Sequence, residues 1–495
     1  MTSQTTNLSQ YFQQFRKNVI GINEEFDTPN GKKKMIYADW TASGRLYVPI
    51  EHSLLRNFGP YVGNTHTETN ITGTSMTVAY HKAKKIIKKH VNANEEDVLI
   101  MTGSGMTGAV NKFQRLLGLK DGSRFATPDD RPIIFVSHLE HHSNDISWRE
   151  SVADVEAIDL CPKGNIDLNH LRALLKKHEN RPYKIAAITA CSNVTGVQTP
   201  YDKVAEIMHE NGGWCFVDFA CSAPYVAIDM HPKNSLQDLD AVYFSMHKFL
   251  GGPGTPGVLL FNKRFYQNQI PDHPGGGTVK WVNRWGQQKY IDALTAESIE
   301  AREDGGTPPF LQTIKSAMCV KLKEEMNPEL MMQREEELLK IIFERLDAIP
   351  NLHILARETE HRMGVVSFYI DDLHYNLGVK LLNDYFGLQV RGGCACAGPY
   401  GHCLLNISED KSNKIASQID KGNLSAKPGW IRLSIHPILT NEEIHKALDA
   451  IEAVATNHLS WQHNYEYIPA TNEFTSRLID EQEVQSDRID RWFEV

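Results

Sequence analysis

Residues 241–262 read AVYFSMHKFLGGPGTPGVLLFN, and their pattern is the strongest indication of the fold class. Two apolar runs, 241–246 and 257–262, flank a segment that is rich in glycine and proline and contains Lys248. Each run is continuously apolar rather than alternating, which is typical of a strand that is buried on both faces. Such strands occur in sheets that helices cover on both sides.

Five further apolar runs precede this stretch, and segments with helical patterns separate several of them. The runs lie at 98–102, 132–137, 155–160, 184–190 and 214–219. The helical segments include 169–180, with leucines at helical spacing, and 201–213, which ends in glycine. Alternation of strand and helix at this spacing predicts an α/β fold, with a mainly parallel seven-stranded sheet in a large domain.

The pattern changes after the glycine- and proline-rich residues 305–309. A long polar helix, two strands and two further helices predict a smaller α+β domain. These elements are expected at 328–350, 365–370, 376–386, 430–435 and 441–455. We therefore predict an N-terminal arm that packs on the small domain, a large domain, a small C-terminal domain and a C-terminal extension of unassigned role. Their boundaries are 1–35, 36–310, 311–455 and 456–495.

Length, charge and composition restrict the classes of protein to which the chain can belong. The chain has 495 residues, too many for one hydrophobic core, which stops growing at about 250–300 residues. A net charge of −9 gives no basic footprint for nucleic acid. No apolar run approaches the roughly 20 residues that span a bilayer, and no signal-peptide pattern occurs at the start. We therefore expect a cytoplasmic protein that binds neither nucleic acid nor membrane.

Two sets of residues receive simple structural predictions. Eight cysteines in a chain of this length do not form a disulfide framework. Four of them lie in or beside apolar runs and are predicted as small core residues: Cys161, Cys191, Cys215 and Cys221. The run KAKKIIKKH (82–90) places its isoleucines and lysines on different sides of a helix, which predicts a solvated basic face.

Polar residues follow several predicted strands at the edge where ligands bind in open α/β sheets. TGSGMTGA (102–109) joins a strand to a helix and offers backbone N–H groups to an anion. Asp218 ends one strand, and Lys248 follows another. A lysine held near apolar walls has a lowered pKa and can form a Schiff base, whereas an isolated loop lysine is usually solvated. Together with His141 as a ring contact, these groups meet the needs of pyridoxal phosphate.

Several ordered motifs resemble one known family. They are NTHTETNITG (64–73), HLEHHSND (138–145), VDFACSAPY (217–225), SMHKFLGGPGTPGVLL (245–260) and EDGGTPP (303–309). Over roughly residues 35–455 the chain resembles the class V aminotransferase superfamily of fold-type I pyridoxal-phosphate enzymes. The cysteine desulfurase and selenocysteine lyase branch is the most similar part of it.

The resemblance implies a role for each matching position in holding the cofactor. Lys248 would bind the cofactor aldehyde, Asp218 would pair with the ring nitrogen, and His141 and Ala220 would contact the two ring faces. Asn193 would lie near the phenolic oxygen. Five residues would bind the phosphate, namely Gly105, Met106, Thr107, Ser245 and His247. Pyridoxal 5'-phosphate is therefore the expected cofactor.

The resemblance also implies a homodimer and a substrate anchor. GGGT (275–278) resembles the segment through which one subunit contacts the phosphate of the other, so Thr278 would act in the partner's site. Arg432 matches the arginine that holds the substrate α-carboxylate through a bidentate pair. The expected substrate is an amino acid.

The stretch RGGCACAGPYGH (391–402) carries the expected nucleophile. In one group of cysteine desulfurases the active cysteine follows an arginine in a pattern like R-x-G-H-H-C-A-x-P. Aligned on Arg391, this pattern places Cys396 on the active cysteine and Cys394 beside it. The resemblance thus implies that Cys396 takes sulfur from L-cysteine as a persulfide and releases alanine, with His141 and Lys248 as the other catalytic residues. Arg391 would supply positive charge, and a sulfur-acceptor protein would be a further partner.

Other interpretations of these residues remain open. The enzyme could instead be an aminotransferase or catalyse another α-carbon reaction, such as epimerisation or β-elimination. The two cysteines of 391–402 would then only line a glycine-rich loop. A metal-binding module is a third interpretation, with ligands from Cys394, Cys396, His402 and Cys403. A zinc site would need His138, His141 and His142, whose spacing is not that of a helical zinc motif.

Overall fold

The structure is a computed structural model that describes residues 7–65, 67–122, 125, 127, 130–479 and 481–494. Residues 1–6 of the predicted N-terminal arm, His66 of the NTHTETNITG motif, and residues 480 and 495 of the predicted C-terminal extension lie outside the described residues.

The strands and helices follow in chain order. The strands are β1 (Glu25–Thr28), β2 (Gly31–Lys34), β3 (Ile36–Tyr37), β4 (Asp97–Thr102), β5 (Ile133–Ser137), β6 (Asp154–Ile158), β7 (Lys184–Thr189), β8 (Trp214–Asp218), β9 (Ala241–Ser245), β10 (Gly257–Asn262), β11 (Val279–Val282), β12 (Gln288–Tyr290), β13 (Leu352–Ile354), β14 (Val365–Ile370), β15 (Leu388–Gln389), β16 (Arg391–Gly393), β17 (Trp430–Ser434), β18 (Tyr465–Ile468) and β19 (Glu473–Ser476). The helices are α1 (Leu8–Arg16), α2 (Val48–Ser53), α3 (Ile71–His90), α4 (Gly105–Leu116), α5 (His142–Arg149), α6 (Leu168–Lys177), α7 (Tyr201–Glu210), α8 (Ala296–Glu303), α9 (Phe310–Met326), α10 (Pro328–Leu346), α11 (Tyr375–Phe386), α12 (Gly398–Leu404), α13 (Glu409–Asp420), α14 (Asn441–Trp461) and α15 (Glu481–Trp492). In the described part of the chain, no helix has both the length and the apolar character needed to cross a membrane.

The seven-stranded sheet is confirmed, in the order β4-β10-β9-β8-β7-β5-β6. Strands β5 to β9 pair in parallel, whereas β10 runs antiparallel to both β4 and β9. The sheet is buried on both faces, as the continuous apolar runs predict. In β4, Leu99 and Met101 enter one apolar cluster, while Val98 and Ile100 enter another on the opposite face.

A second, antiparallel sheet of four strands has the order β13-β14-β17-β16. Helices α10, α11 and α14 contribute side chains to its apolar cluster. The short strand β3 pairs in parallel with β15, and Asp39 bridges to Ser434, the last residue of β17, so the N-terminal segment passes along this sheet. This arrangement confirms the smaller α+β unit, while the exact boundaries between domains stay a prediction.

Several elements of this region differ from the sequence prediction, among them α9, β16 and α14. Helix α9 was not predicted, because its polar and small residues weaken the apolar period. It ends at Met326, and the side chain of the next residue, Asn327, caps α10. Strand β16 lies within the glycine-rich cysteine stretch, where glycine disfavours a strand prediction. Helix α14 continues to Trp461 and is followed by a β18–β19 hairpin.

The prediction of a solvated basic face on α3 is wrong for Lys84. Its side chain is buried, and its amine lies 2.9 Å from a carboxylate oxygen of Glu300 on α8. Lys88 pairs with the other oxygen of the same carboxylate at 2.6 Å, and that oxygen also accepts a hydrogen bond from the backbone N–H of Leu99. Glu300 therefore joins α3, α8 and the edge strand of the large sheet.

Replacing Glu300 by alanine should leave both lysines and the Leu99 N–H without this acceptor. We expect the free energy of unfolding to fall by about 3–5 kcal/mol, as happens when one partner of a buried ion pair is removed. Urea unfolding at neutral pH measures this change. Glu297→Ala, which alters an exposed carboxylate on the same helix, is the control and should change stability by less than about 0.5 kcal/mol.

The stabilisation that Glu300 provides should be lost at low pH. Burial raises the pKa of Glu300, but Lys84 and Lys88 outweigh this effect and hold the pKa below its usual value. The carboxylate therefore contributes fully above its unfolded pKa of about 4.3, and its contribution is lost as the pH falls through the lower folded pKa. The stability gap between wild type and Glu300→Ala should shrink below about pH 4. If the difference in free energy of unfolding between wild type and Glu300→Ala instead grows as the pH falls, the Glu300 carboxylate is not the stabilising form.

Candidate active site

A cavity of about 200 Å³ lies at the carboxyl ends of β7, β8 and β9. Residues from the cysteine stretch and from β17 close its other side. All residues predicted for the site line this cavity except Gly105 and Thr278. Those that line it are Met106, Thr107, His141, Asn193, Asp218, Ala220, Ser245, His247, Lys248, Arg391, Cys396 and Arg432.

The two exceptions lie in different places. Gly105 has a φ of +61° and stands directly behind the cavity wall, since a Cβ there would lie 2.8 Å from the Ser245 hydroxyl oxygen and 2.9 Å from the His247 ring. Thr278 is buried away from the cavity of its own chain, where its hydroxyl donates to the carbonyl of Gly275 at 2.7 Å. Its role in a partner's site stays a prediction.

Lys248 ends the single helical turn, Met246–Lys248, that follows β9. Removal from water lowers the pKa of its amine; Cys221 and Asp218 oppose this effect, while Arg432 and Arg391 add to it. A lysine in this environment is uncharged over a wider pH range than a solvated one. The geometry therefore provides a nucleophilic amine on the wall of the cavity.

Asp218 and His141 line the cavity together with Lys248. Asp218 is buried at the end of β8, accepts a hydrogen bond from the Ala220 N–H at 2.8 Å, and has a pKa raised to about 6 by burial. Burial, with the nearby charge of Lys248, lowers the pKa of His141 to about 3, so its ring is neutral. A buried carboxyl and a flat neutral ring suit a ligand that carries a planar, cationic ring.

The start of α4 provides a site for an anion. The N–H of Met106 points to the Ser245 hydroxyl at 2.8 Å, and the Thr107 and Ser143 hydroxyls lie 2.6 Å apart. Burial, followed by the charge of Lys248, lowers the pKa of His247 to about 4, so this ring is also neutral. A helix N-terminus with hydroxyl groups around it favours a phosphate.

Two arginines lie opposite one another in the second sheet, since Arg391 of β16 pairs with Arg432 of β17. The Arg432 guanidinium is buried, bonds Asp39 at 2.7 Å and donates to the Asn193 carbonyl at 3.0 Å. Its Nε is buried without a hydrogen-bond partner among the described residues, and so is the side-chain oxygen of Asn193. Arg391 is exposed at the cavity mouth. These groups can hold a carboxylate.

The cysteine loop adopts a backbone that side chains rarely take. Ala395 and Cys396 have φ values of +50° and +56°. The loop is held in place by His142, because the His142 N–H donates to the Cys396 carbonyl at 2.7 Å and the His142 ring accepts from the Gly398 N–H at 2.9 Å. A strained backbone of this kind persists only where many surrounding contacts hold it, as happens at catalytic sites.

The two loop cysteines occupy different environments. Cys396 lines the cavity together with Lys248, whereas Cys394 does not line it and packs against the apolar cluster of the large sheet. The strained conformation thus presents one thiol to the cavity and turns the other away from it.

Two of the histidines proposed as alternative metal ligands are engaged in other contacts. His138 lies 3.6 Å from Asp159, and the His402 ring bonds the Gly398 carbonyl and the Ser412 hydroxyl, both at 2.9 Å. Among the residues that the structure describes, no group of three or more His, Cys, Asp or Glu side chains is placed to hold a metal ion.

Sequence reasoning missed several residues that line the cavity, among them Thr41, Ala42, Ser143 and Thr189. The prediction of Cys191 and Cys221 as simple core residues is incomplete, because both are buried and also line the cavity. A hydrogen bond from Cys191 lowers the pKa of Cys221. Their positions just after β7 and β8 were the available signal, since this edge of the sheet carries the ligand site.

Comparison with known proteins places the chain in a family. The sequence model described as Aminotransferase class-V matches residues 36–447. A probable cysteine desulfurase of Staphylococcus epidermidis is 30% identical over 373 residues, which cover 74% of this chain and 84% of the relative. A probable cysteine desulfurase of Staphylococcus aureus is 28% identical over 77% of this chain and 86% of its own length.

Two solved structures share the fold. The apo cysteine desulfurase of Thermococcus onnurineus has a TM-score of 0.72 and 24% identity, covering 90% of this chain and 98% of its own. The cysteine desulfurase CsdA of Escherichia coli has a TM-score of 0.69 and 20% identity, covering 89% and 98%. The match to the family model spans most of the sequence and includes every predicted residue that lines the cavity. The chain belongs to the class-V aminotransferase family.

Proposed function

We propose that this enzyme is a pyridoxal-phosphate-dependent cysteine desulfurase that converts L-cysteine to L-alanine and keeps the sulfur as a persulfide on Cys396. One observation carries the proposal: of the two loop cysteines, Cys396 alone shares the cavity with Lys248, Asp218 and Arg432. The relatives named probable cysteine desulfurase support the same conclusion.

The residues of the cavity fit pyridoxal 5'-phosphate. The raised pKa of buried Asp218 indicates a carboxyl that gains from a cationic partner, which a protonated pyridine nitrogen would provide. The unpartnered side-chain oxygen of Asn193 matches a ring hydroxyl.

Gly105 leaves room at the start of α4, where a Cβ would meet Ser245 and His247. His141 and Ala220 would contact the ring faces, and Lys248 would bind the aldehyde.

When bound, the cofactor supplies an electron sink for bonds at the substrate α-carbon. The chain's own residues provide the rest. Arg432 and Arg391 would bind the α-carboxylate and orient the substrate. The Lys248 amine, whose pKa is lowered by burial, lines the same cavity and would take a proton from Cα. Its position beside Asp218 and Cys396 brings proton transfer and sulfur transfer into one cavity.

Cys396 would then act as the sulfur acceptor. Its thiolate attacks the substrate sulfur, an S–S bond forms, and the C–S bond of the substrate breaks. The electron pair of the broken bond stays with carbon, which takes up a proton to give alanine. The reaction converts one thiol and one cysteine into one persulfide and one alanine, so it needs no external oxidant or reductant.

A homodimer is part of the proposal. Thr278 follows the GGG segment and precedes the β11–β12 hairpin, on which Trp281 and Trp285 are 49% and 72% exposed. Exposed tryptophans of this kind are typical of a surface that another chain covers. We therefore propose that a second copy packs here and brings its Thr278 towards the phosphate. A sulfur-acceptor protein and a cytoplasmic location complete the proposal, in keeping with eight free cysteines.

Replacing each cysteine separately tests the proposed nucleophile. Cys396→Ala should reduce sulfide and alanine formation from L-cysteine by about 100-fold or more, because the acceptor thiol is lost. Cys394→Ala and Cys403→Ala should stay near the wild-type rate, since neither residue lines the cavity. The measurement is parallel quantification of sulfide and alanine with a reductant present. If Cys396→Ala keeps full activity, Cys396 is not the sulfur acceptor; if wild type makes no sulfide while amino acids still change the cofactor absorbance, another α-carbon reaction is the function.

Borohydride reduction tests the proposed cofactor lysine. In wild type it should fix the cofactor covalently on the peptide that contains Lys248, which peptide mass spectrometry detects. Lys248→Ala should abolish both this label and activity. Lys203→Ala, an exposed lysine on α7, is the matched control and should keep both. A label on any other lysine would contradict the assignment.

A further inference from the structure

The β18–β19 hairpin lies beyond residues 36–447, the part of the chain that the family model matches. It folds back onto the start of α11. The Tyr467 and Phe474 rings lie 5.4 and 5.2 Å from the His374 ring, which caps α11 by accepting from the Asn376 N–H. In the hairpin turn, the Pro469 carbonyl accepts a hydrogen bond of 3.0 Å from the Leu424 N–H.

Asn472 in the hairpin turn makes the contacts that join the hairpin to α11. It is buried and has a φ of +61°. Its side-chain amide donates to the Tyr375 hydroxyl at 2.6 Å, and its side-chain oxygen accepts from the Tyr467 hydroxyl at 2.9 Å. Its backbone carbonyl accepts from the Asn376 amide at 2.5 Å. One residue thus fixes both of the first two residues of α11.

Tyr375 and Asn376 in turn contact the strand that leads into the cysteine loop. A Cβ on Gly392 of β16 would lie 2.5 Å from the Asn376 side-chain oxygen and 3.3 Å from the Tyr375 ring. The same ring lies against Gly429, just before β17, and the Tyr375 hydroxyl donates to the Lys427 carbonyl at 3.3 Å. The two side chains therefore form a platform under the paired strands β16 and β17.

Strand β16 determines where Cys396 stands. It contains Arg391 and ends at Gly393, three residues before Cys396. The loop after it has two consecutive non-glycine residues in the left-handed region, a conformation that needs restraint from both ends. His142 and Asn193 restrain the far side of the loop through the Cys396 and Ala395 carbonyls. The platform of Tyr375 and Asn376 restrains the near side.

We propose that the C-terminal hairpin is a positioning element for the sulfur-accepting cysteine, in which Asn472 acts through Tyr375 and Asn376 to hold β16 and thereby Cys396 at the cavity. Asn472 touches neither the cavity nor the reacting atoms. The catalytic consequence rests on the proposed cysteine desulfurase activity, whereas the coupling between hairpin and loop does not.

Two variants remove the hydrogen bond between Asn472 and Tyr375, one by changing each partner. Asn472→Gly deletes the side chain while accepting the positive φ, and Tyr375→Phe deletes only the hydroxyl that Asn472 bonds. Glu473→Ala changes an exposed residue next to Asn472 and is the matched control. All are compared as the cofactor-loaded full chain, with melting temperatures recorded to verify folding.

The first measurement is alkylation of Cys396 by iodoacetamide, followed by peptide mass spectrometry and normalised to the exposed Cys403. Both linking variants should alkylate Cys396 about tenfold faster than wild type, because loss of a buried hydrogen bond loosens the loop. Glu473→Ala should match wild type. The second measurement is turnover of L-cysteine, where kcat should fall about tenfold because the sulfur-accepting thiol is no longer held at the cavity.

The outcomes separate the two proposals. If the linking variants melt at lower temperature but keep wild-type alkylation of Cys396, the hairpin is only structural and the inference is overturned. If wild type releases no sulfide, the proposed function fails, and alkylation alone still decides the coupling. Should Asn472→Gly fail to fold, Tyr375→Phe, which removes a single oxygen atom, decides the question by the same alkylation measurement.

Discussion

The enclosed amine of Lys248 is the feature on which the site depends. A cation is costly away from water, so the amine is uncharged more readily here than on the surface, and the arginines Arg432 and Arg391 strengthen that tendency. The sheet makes this possible, because buried strands end at one edge and leave Asp218 and Lys248 facing the same space. A nucleophilic amine, a buried carboxyl and an anion site at a helix start then follow from the fold rather than from flexible loops.

The second constraint is the meeting of the two sheets at the cysteine loop. The large sheet contributes His142 and Asn193, and the small sheet contributes β16, so the loop is held from both sides. Its two left-handed residues are strained, and contacts from separate parts of the chain offset that strain. The result is that Cys396 lines the cavity while the neighbouring Cys394 packs into the apolar cluster.

Much of this arrangement could be predicted from local sequence patterns, and the remainder depends on long-range contacts. Continuous apolar runs gave the seven strands, and polar residues directly after strands gave Asp218 and Lys248. Burial of Lys84 could not be predicted, because its partner Glu300 lies far along the chain. The sequence around Lys84 also has the pattern of a solvated basic helix face. Cys191 and Cys221 sit in apolar surroundings that hide their position on the cavity wall. Likewise, nothing local in the turn around Asn472 indicates that it bonds α11.

The central claim is that sulfur from L-cysteine is transferred to Cys396 and to no other thiol. The most direct measurement is peptide mass spectrometry of the cofactor-loaded enzyme after one equivalent of L-cysteine in the absence of reductant, with thiols alkylated on quenching. We expect the peptide containing Cys394 and Cys396 to gain the mass of one sulfur atom, and fragmentation to locate it on Cys396. Stoichiometric alanine with the added sulfur on Cys394, Cys191 or Cys221, or no added sulfur on any peptide, would contradict it.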